Sequence, residues 1–243
     1  MKKSHEKNLR LQSARSKADC FLHVPKTGGS GIGQFFGKLS KEIGRERVPT
    51  KFNHPWMAEE IVKLFPEIKI HLVIRDPIER IVSGFLSRMR MGRPRRNHIW
   101  STEEAVAYAF FSDPQQLLAA LVSDDERQKS AALFAFKGIR HLKWNYVYYF
   151  QSPDYLDQID KNVGIVREID DTLSFVREIC ALCGADPAIA ESMYAKVHVS
   201  KVSSRSVTEQ MDQAELARVR EALEPEYAIY RRLQAIAQRQ TAS

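Results

Sequence analysis

The stretch FLHVPKTGGSGIGQFF, residues 21–36, constrains this chain more than any other. It begins as an apolar, β-type run, stops at Pro25, and enters a helical pattern within a few residues. A strand that passes so directly into a helix is the first half of a βαβ unit, and such units build parallel sheets. Three further β-rich runs follow: 47–52, 68–75 and 162–166. With 20–24 they make four. Helical periodicity fills 31–41, 55–65, 77–89 and 171–183. The stretch 101–150 reads as mostly helical and turns aromatic in WNYVYYF. Near the end, Leu216, Val219, Leu223, Tyr227, Tyr230 and Leu233 keep helical spacing, with an interruption at Pro225. The expectation is an α/β fold: a single domain over 19–238 with a parallel β-sheet flanked by helices, preceded by a basic flexible tail over 1–18.

Ligands of open parallel sheets bind at the carboxyl ends of the strands, where strand-to-helix loops gather. Three such loops here carry unusual residues. The first, Pro25, Lys26, Thr27, Gly28, Gly29 and Ser30, puts backbone N–H groups at a helix N-terminus, a ready anion site. The glycines let the backbone approach closely, Lys26 adds charge, and the two hydroxyls add donors. An ordinary glycine-rich turn capped by Ser30 would use the same residue types. The nucleotide-loop pattern G-x-x-x-x-G-K-[ST] is absent, because lysine and threonine precede the glycine pair. The dinucleotide pattern also fails, with Gln34 where its last glycine belongs.

The second loop lies in HLVIRDPIERIVSGF. Asp76 suits an N-cap, Pro77 the first helical position, and Glu79 a capping-box partner. None of these explains Arg75 at the strand end, where a guanidinium can fork two phosphate oxygens. Ser83, two turns into the helix, can share that anion. A pairing of Arg75 with a nearby carboxylate stays open.

FLHVPKTGGS followed by IRDPIERIVSGF resembles the sulfotransferases that use 3′-phosphoadenosine 5′-phosphosulfate (PAPS), most of all the carbohydrate branch containing the heparan sulfate uronyl 2-O-sulfotransferases. VGIVREIDDTLSFVREI and VHVSKVSS agree more weakly; the rest of 20–233 is compatible. The resemblance implies a P-loop-like fold, a 5′-phosphosulfate loop at Pro25–Ser30, and Arg75 and Ser83 on the 3′-phosphate. It implies that Ser200, Lys201 and Ser203 close over the nucleotide, where a plain polar loop also stays open, and that no metal is required. Lys26 would then meet the oxygen that gains charge as sulfuryl leaves.

Sulfuryl transfer to a hydroxyl also needs a base. His54, in KFNHPWMAEE, precedes a helix between the two anion loops, and a neutral imidazole suits the task. Sequence alone leaves a structural histidine open; the resemblance places its catalytic histidine here. The uronyl enzymes carry a second histidine two positions earlier, where this chain has Phe52. His23 and His71 alternate with buried strand residues and read as structural.

The net charge of +7 and pI near 9.3 favour an anionic partner. The arginine run 88–96 includes Arg93, Arg95 and Arg96, which with Trp100 could grip an acidic glycan, or could form a solvated loop. Three cysteines give no disulfide framework, and CALC at 180–183 on an amphipathic helix reads as core, so the expected compartment is a reducing cytoplasm. No apolar run spans a membrane. The partners expected are PAPS and a hydroxyl acceptor such as a glycan or glycolipid, not nucleic acid. Two rivals stand beside this reading. A metal-dependent nucleotide kinase would need Mg²⁺, and a basic nucleic-acid-binding module would bind arbitrary RNA or DNA in a salt-dependent way.

Overall fold

A computed structural model describes residues 19–93, 97–194 and 204–242. The expected tail, Arg95, Arg96, Ser200, Lys201 and Ser203 lie outside the described residues. Four strands, β1 (Asp19–Leu22), β2 (Thr50–Phe52), β3 (Lys69–Ile74) and β4 (Val163–Glu168), form one sheet in the order β2-β1-β3-β4. All pairs are parallel, which meets the α/β expectation.

Strand side chains alternate between two layers. Cys20, Leu22, Ile70, Leu72 and Ile74 join one core; Phe21 and Val73 join the other. This is the period-two rule at work in a sheet covered on both faces. Over the second core lie α1 (Gly29–Ile43), through Ile32, Phe35 and Leu39, and later α10 (Thr172–Leu182), through Phe175, Val176 and Ile179. Over the first lie α2 (Ala58–Leu64) and α3 (Pro77–Met89). Between α3 and β4 run α4 (Thr102–Phe110), α5 (Pro114–Leu121), α6 (Glu126–Gly138), α7 (Arg140–Lys143), α8 (Tyr146–Phe150) and α9 (Pro153–Gln158). After α10 come α11 (Ile189–Met193), α12 (Ser204–Glu209), α13 (Gln213–Ala222) and α14 (Glu224–Ala242). The helical break near the end falls at Leu223. Pro225 sits in the first turn of α14, where its missing N–H has no intrahelical partner to lose.

His71 is structural, as expected. Its Nδ1 accepts from the Ile165 N–H at 2.9 Å and its Nε2 meets Asp19 at 3.1 Å, beside the register shift between β3 and β4. Gly164 is needed there, since a Cβ would stand 2.6 Å from the His71 ring. The free edge of β4 is met by α14: Gln240 accepts from the Val166 N–H and donates to the Gly164 carbonyl, standing in for a further strand.

Two buried ion pairs fix α3. Arg80 pairs with Glu226 of α14 at 3.0 Å, and Arg88 pairs with Glu104 of α4. Arg88 is therefore no part of a solvated arginine run; it is core. Cys20, Cys180 and Cys183 are buried, and no disulfide joins them among the described residues. No helix among the described residues is long and apolar enough to cross a membrane.

Candidate active site

The loop after β1 has the backbone of an anion cradle. Lys26 stands at φ 70° and Gly28 at φ 79°. A non-glycine residue in the left-handed region costs about 1–3 kcal/mol, so the surrounding loop must hold Lys26 there. Left-handed residues within a turn are one way that successive N–H groups come to face a single anion. Gly28 caps α1 without any side-chain oxygen. The backbone N–H groups of residues 26 to 30 make no hydrogen bond among the described residues. Gly29 permits a close approach: a Cβ would lie 1.9 Å from the His23 ring. Thr27 differs from expectation. Its side chain is buried and donates to the Val24 carbonyl at 2.9 Å, so it tightens the turn and can offer an anion only its N–H. Pro25 is buried and Ser30 is exposed on the first turn.

Lys26 is half-buried. Burial first, then the charges of Arg90 and Arg75, hold its pKa down at about 8. Three cations thus converge around this loop. Arg90, from the C-terminal end of α3, belongs to the arginine run and was not among the expected cofactor ligands.

Arg75 directly follows β3, the strand beside β1. Its backbone N–H and carbonyl are both held by the Tyr146 hydroxyl at 2.8 Å. Its Nη1 donates to the Lys26 carbonyl at 3.4 Å, which ties the first two loops together. Its Nε and Nη2 donate to Glu79 at 3.3 Å. Asp76 caps α3 by accepting from the Glu79 N–H, and Tyr227 donates to its other oxygen. The expected capping box is only half made, because the Glu79 carboxylate turns to Arg75 and to Arg205 of α12. Ser83 is half-buried on the same helix.

The third loop follows β2. His54 is half-buried, with its ring stacked on Trp144 at 4.6 Å and 20°. Its Nδ1 is hydrogen-bonded to the Tyr149 hydroxyl. Its Nε2 makes no hydrogen bond to another described residue. Burial first, then Lys51, Arg140 and Arg80, hold its pKa down at about 4. His54 is not the lone histidine the sequence suggests. The His23 ring lies 5.0 Å away, centroid to centroid, and the His141 ring 6.5 Å. Both have pKa values pushed well below the ordinary histidine value, first by burial. Lys51 donates to the Gly29 carbonyl, connecting the second strand to the start of α1.

The structure thus brings Lys26, Arg75 and His54 together at the carboxyl edge of neighbouring strands. Arg93 is exposed and pairs with Asn97 at 3.4 Å. Trp100 gives its indole N–H to the Arg88 carbonyl at 2.7 Å and packs on Tyr108 at 4.8 Å, so part of the ring is already engaged. The sequence reading took His23 as structural and did not single out His141, Tyr149 or Trp144. The aromatic run was the one signal available: it supplies Tyr146 under Arg75 and Tyr149 under His54.

Residues 19–231 match the model described as "Sulfotransferase family". No curated protein sequence matches the chain. Among solved structures, the crystal structure of a sulfotransferase from Alicyclobacillus acidocaldarius aligns with 89% of this chain and 91% of its own, at 15% identity and a TM-score of 0.34.

Proposed function

The chain belongs to the sulfotransferase family, and from that premise we propose that it moves a sulfuryl group from PAPS to a carbohydrate hydroxyl, with His54 as the base. The observation that carries the donor is the pairing of two anion-receptive loops on adjacent strands. One offers Lys26 and the backbone N–H groups of residues 26 to 30, which make no hydrogen bond to another described residue; the other offers Arg75 and Ser83. A nucleotide with a 5′-phosphosulfate and a 3′-phosphate presents two anions to match.

When bound, the donor supplies the sulfuryl group. The remaining work falls to the chain. Loop N–H groups and Arg75 bind and orient charge, and Lys26 opposes charge growing on the leaving oxygen, an interaction stronger in the transition state than before it. His54 Nε2, which makes no hydrogen bond to another described residue, receives the hydroxyl proton. The acceptor class is supported by the resemblance of residues 21–30 and 74–85 to the carbohydrate branch and by the net charge of +7.

The test is incubation with sulfur-labelled PAPS and a panel of glycans, glycolipids and simple alcohols, followed by identification of the labelled product. Label on a sugar hydroxyl supports the reading. Label confined to non-sugar alcohols overturns the acceptor class, and no release of 3′,5′-adenosine bisphosphate with any acceptor overturns the donor.

A further inference from the structure

A histidine can act as a base at Nε2 only in the tautomer that carries its proton on Nδ1. What fixes the tautomer is the partner of Nδ1. For His54 that partner is the hydroxyl of Tyr149, a fully buried side chain from α8. A phenol has one proton to give and lone pairs to accept with. Tyr149 faces two groups, His54 Nδ1 and the His23 backbone carbonyl at 3.5 Å. A carbonyl can only accept. If the hydroxyl donates to His23, its lone pair is left to accept from a protonated Nδ1, and all three polar groups are satisfied at once. The opposite arrangement, donation to a bare Nδ1, leaves the His23 carbonyl without that donor. It would also put the proton of His54 on Nε2, where a base must have none.

We propose that Tyr149 is a positioning residue: it accepts the Nδ1–H of His54, donates to the His23 carbonyl, and so keeps the Nε2 lone pair ready for the acceptor hydroxyl. This rests on the reading of His54 as base. Burial, then the neighbouring Tyr148, holds the Tyr149 phenol above its ordinary pKa, so it stays protonated through the working range. The proton account is short. As the acceptor oxygen bonds to sulfur, the bond from sulfur to the phosphate oxygen breaks and its electron pair leaves with the phosphate. The hydroxyl proton passes to His54 Nε2, the Nδ1–H stays on its ring, and the imidazolium returns one proton to water. During that step the Nδ1–H···Oη bond becomes charge-assisted and stronger.

The ring is otherwise fixed by Trp144 on one side, with His23, His141, Lys51, Arg140 and Arg80 as the titratable or charged groups around it. Trp144 and those cations restrict the ring's position and charge, whereas the bond from Tyr149 selects which nitrogen is bare.

The first measurement needs no variant. Two-bond ¹H–¹⁵N correlation on ¹⁵N-histidine-labelled wild type, at neutral pH with 3′,5′-adenosine bisphosphate bound, reports the tautomer of His54. The Nδ1–H form is expected; an Nε2–H form overturns the proposal. The second compares Tyr149→Phe with wild type. Turnover should fall by roughly 10- to 100-fold, the scale for losing the group that orients a reacting imidazole. The acceptor KM and the bisphosphate Kd should stay within about twofold, since no binding contact is removed. The variant's His54 should gain the Nε2–H signature, and its acid limb should move to lower pH because the imidazolium loses an acceptor. A Phe variant with wild-type turnover and an unchanged tautomer overturns the role of Tyr149 while leaving His54 as base. Full activity in His54→Ala instead overturns the base reading itself.

Discussion

Glu79 and Arg75 hold each other one helical turn apart, with Glu79 Oε2 accepting from both Nε and Nη2 at 3.3 Å. This is the guanidinium expected to fork the 3′-phosphate, so a bound phosphate has to compete with Glu79. The carboxylate is shared further with Arg205, which also reaches Asp170 at 3.1 Å. Glu79→Gln should therefore tighten 3′,5′-adenosine bisphosphate by about fivefold, equivalent to one modest ion pair of about 1 kcal/mol. AMP, lacking the 3′-phosphate, should bind as before. Titration calorimetry with both nucleotides checks this. Weaker bisphosphate binding in the variant would mean that Glu79 orients Arg75 more than it competes.

The two-anion reading has a direct thermal consequence. Bisphosphate at a hundredfold excess over its Kd should stabilise the folded chain by about 2.7 kcal/mol. AMP at the same concentration should stabilise it less, because it leaves Arg75 and Ser83 without their phosphate. In Arg75→Ala the advantage of bisphosphate over AMP should shrink or vanish. Thermal unfolding with each nucleotide is the measurement; equal stabilisation of wild type by both would remove Arg75 from the site.

Lys26 should matter to rate more than to affinity. Lys26→Ala should lower kcat by roughly 100-fold or more, the scale for removing one group aimed at developing charge, with a much smaller change in bisphosphate Kd. With its pKa lowered to about 8, it should set the alkaline side of the profile. The ammonium is charged below that value and neutral above it, so kcat/KM of the free enzyme should fall as pH rises through about 8. A change in KM alone would make Lys26 a ground-state anchor.

Glu104 is buried against Arg88 and also accepts from the backbone N–H groups of Arg140 and Ser101. Glu104→Ala strands a buried guanidinium and two N–H groups together. Removing one partner of such a pair typically costs about 3–5 kcal/mol, read from denaturant unfolding. A loss below about 1 kcal/mol, the scale of an exposed pair, would mean that Arg88 finds water in the variant.

The sheet and its three strand-to-helix loops were legible because each is a local pattern. An apolar run followed at once by proline, glycine or an N-cap marks a strand-to-helix junction, and the four β-rich runs fall on β1 to β4. Partners across the chain were not legible. His23 and His71 alternate alike on their strands, yet one lies 5.0 Å from His54 and the other braces a register shift. Arg88 reads like its neighbours in an arginine run, and only the arrival of Glu104 from α4 makes it core. Tyr146 and Tyr149 share one aromatic run, but their hydroxyls serve two different loops. Thr27 looked like an anion donor because sequence cannot show that Val24 already takes its proton. Burial and long-range geometry decide these cases, and neither has a period.

His54 carries the sharpest prediction. His54→Ala should leave bisphosphate binding nearly intact while product formation falls by about 100-fold or more, the scale of a lost general base. The pH dependence follows from the shift. An ordinary histidine would lose basicity below about 6.5. Here burial, then Lys51, Arg140 and Arg80, hold the pKa at about 4. The ring is neutral and competent above that value and protonated below it. Activity of the free enzyme should therefore persist through pH 6.5 and fall only as pH drops through about 4, and that acid limb should be missing from the residual rate of the mutant. The same shift acts on stability. Between the two values the unfolded chain binds a proton that the folded chain does not, so stability present above about 6.5 is lost as pH falls toward 4. Turnover and unfolding must be followed together, since an acid limb that tracks unfolding belongs to the fold. A limb that appears in kcat/KM while the protein stays folded, and that His54→Ala abolishes, assigns the proton to His54. Its persistence in the mutant would pass the role to another group, with His23 and His141 the neighbouring histidines.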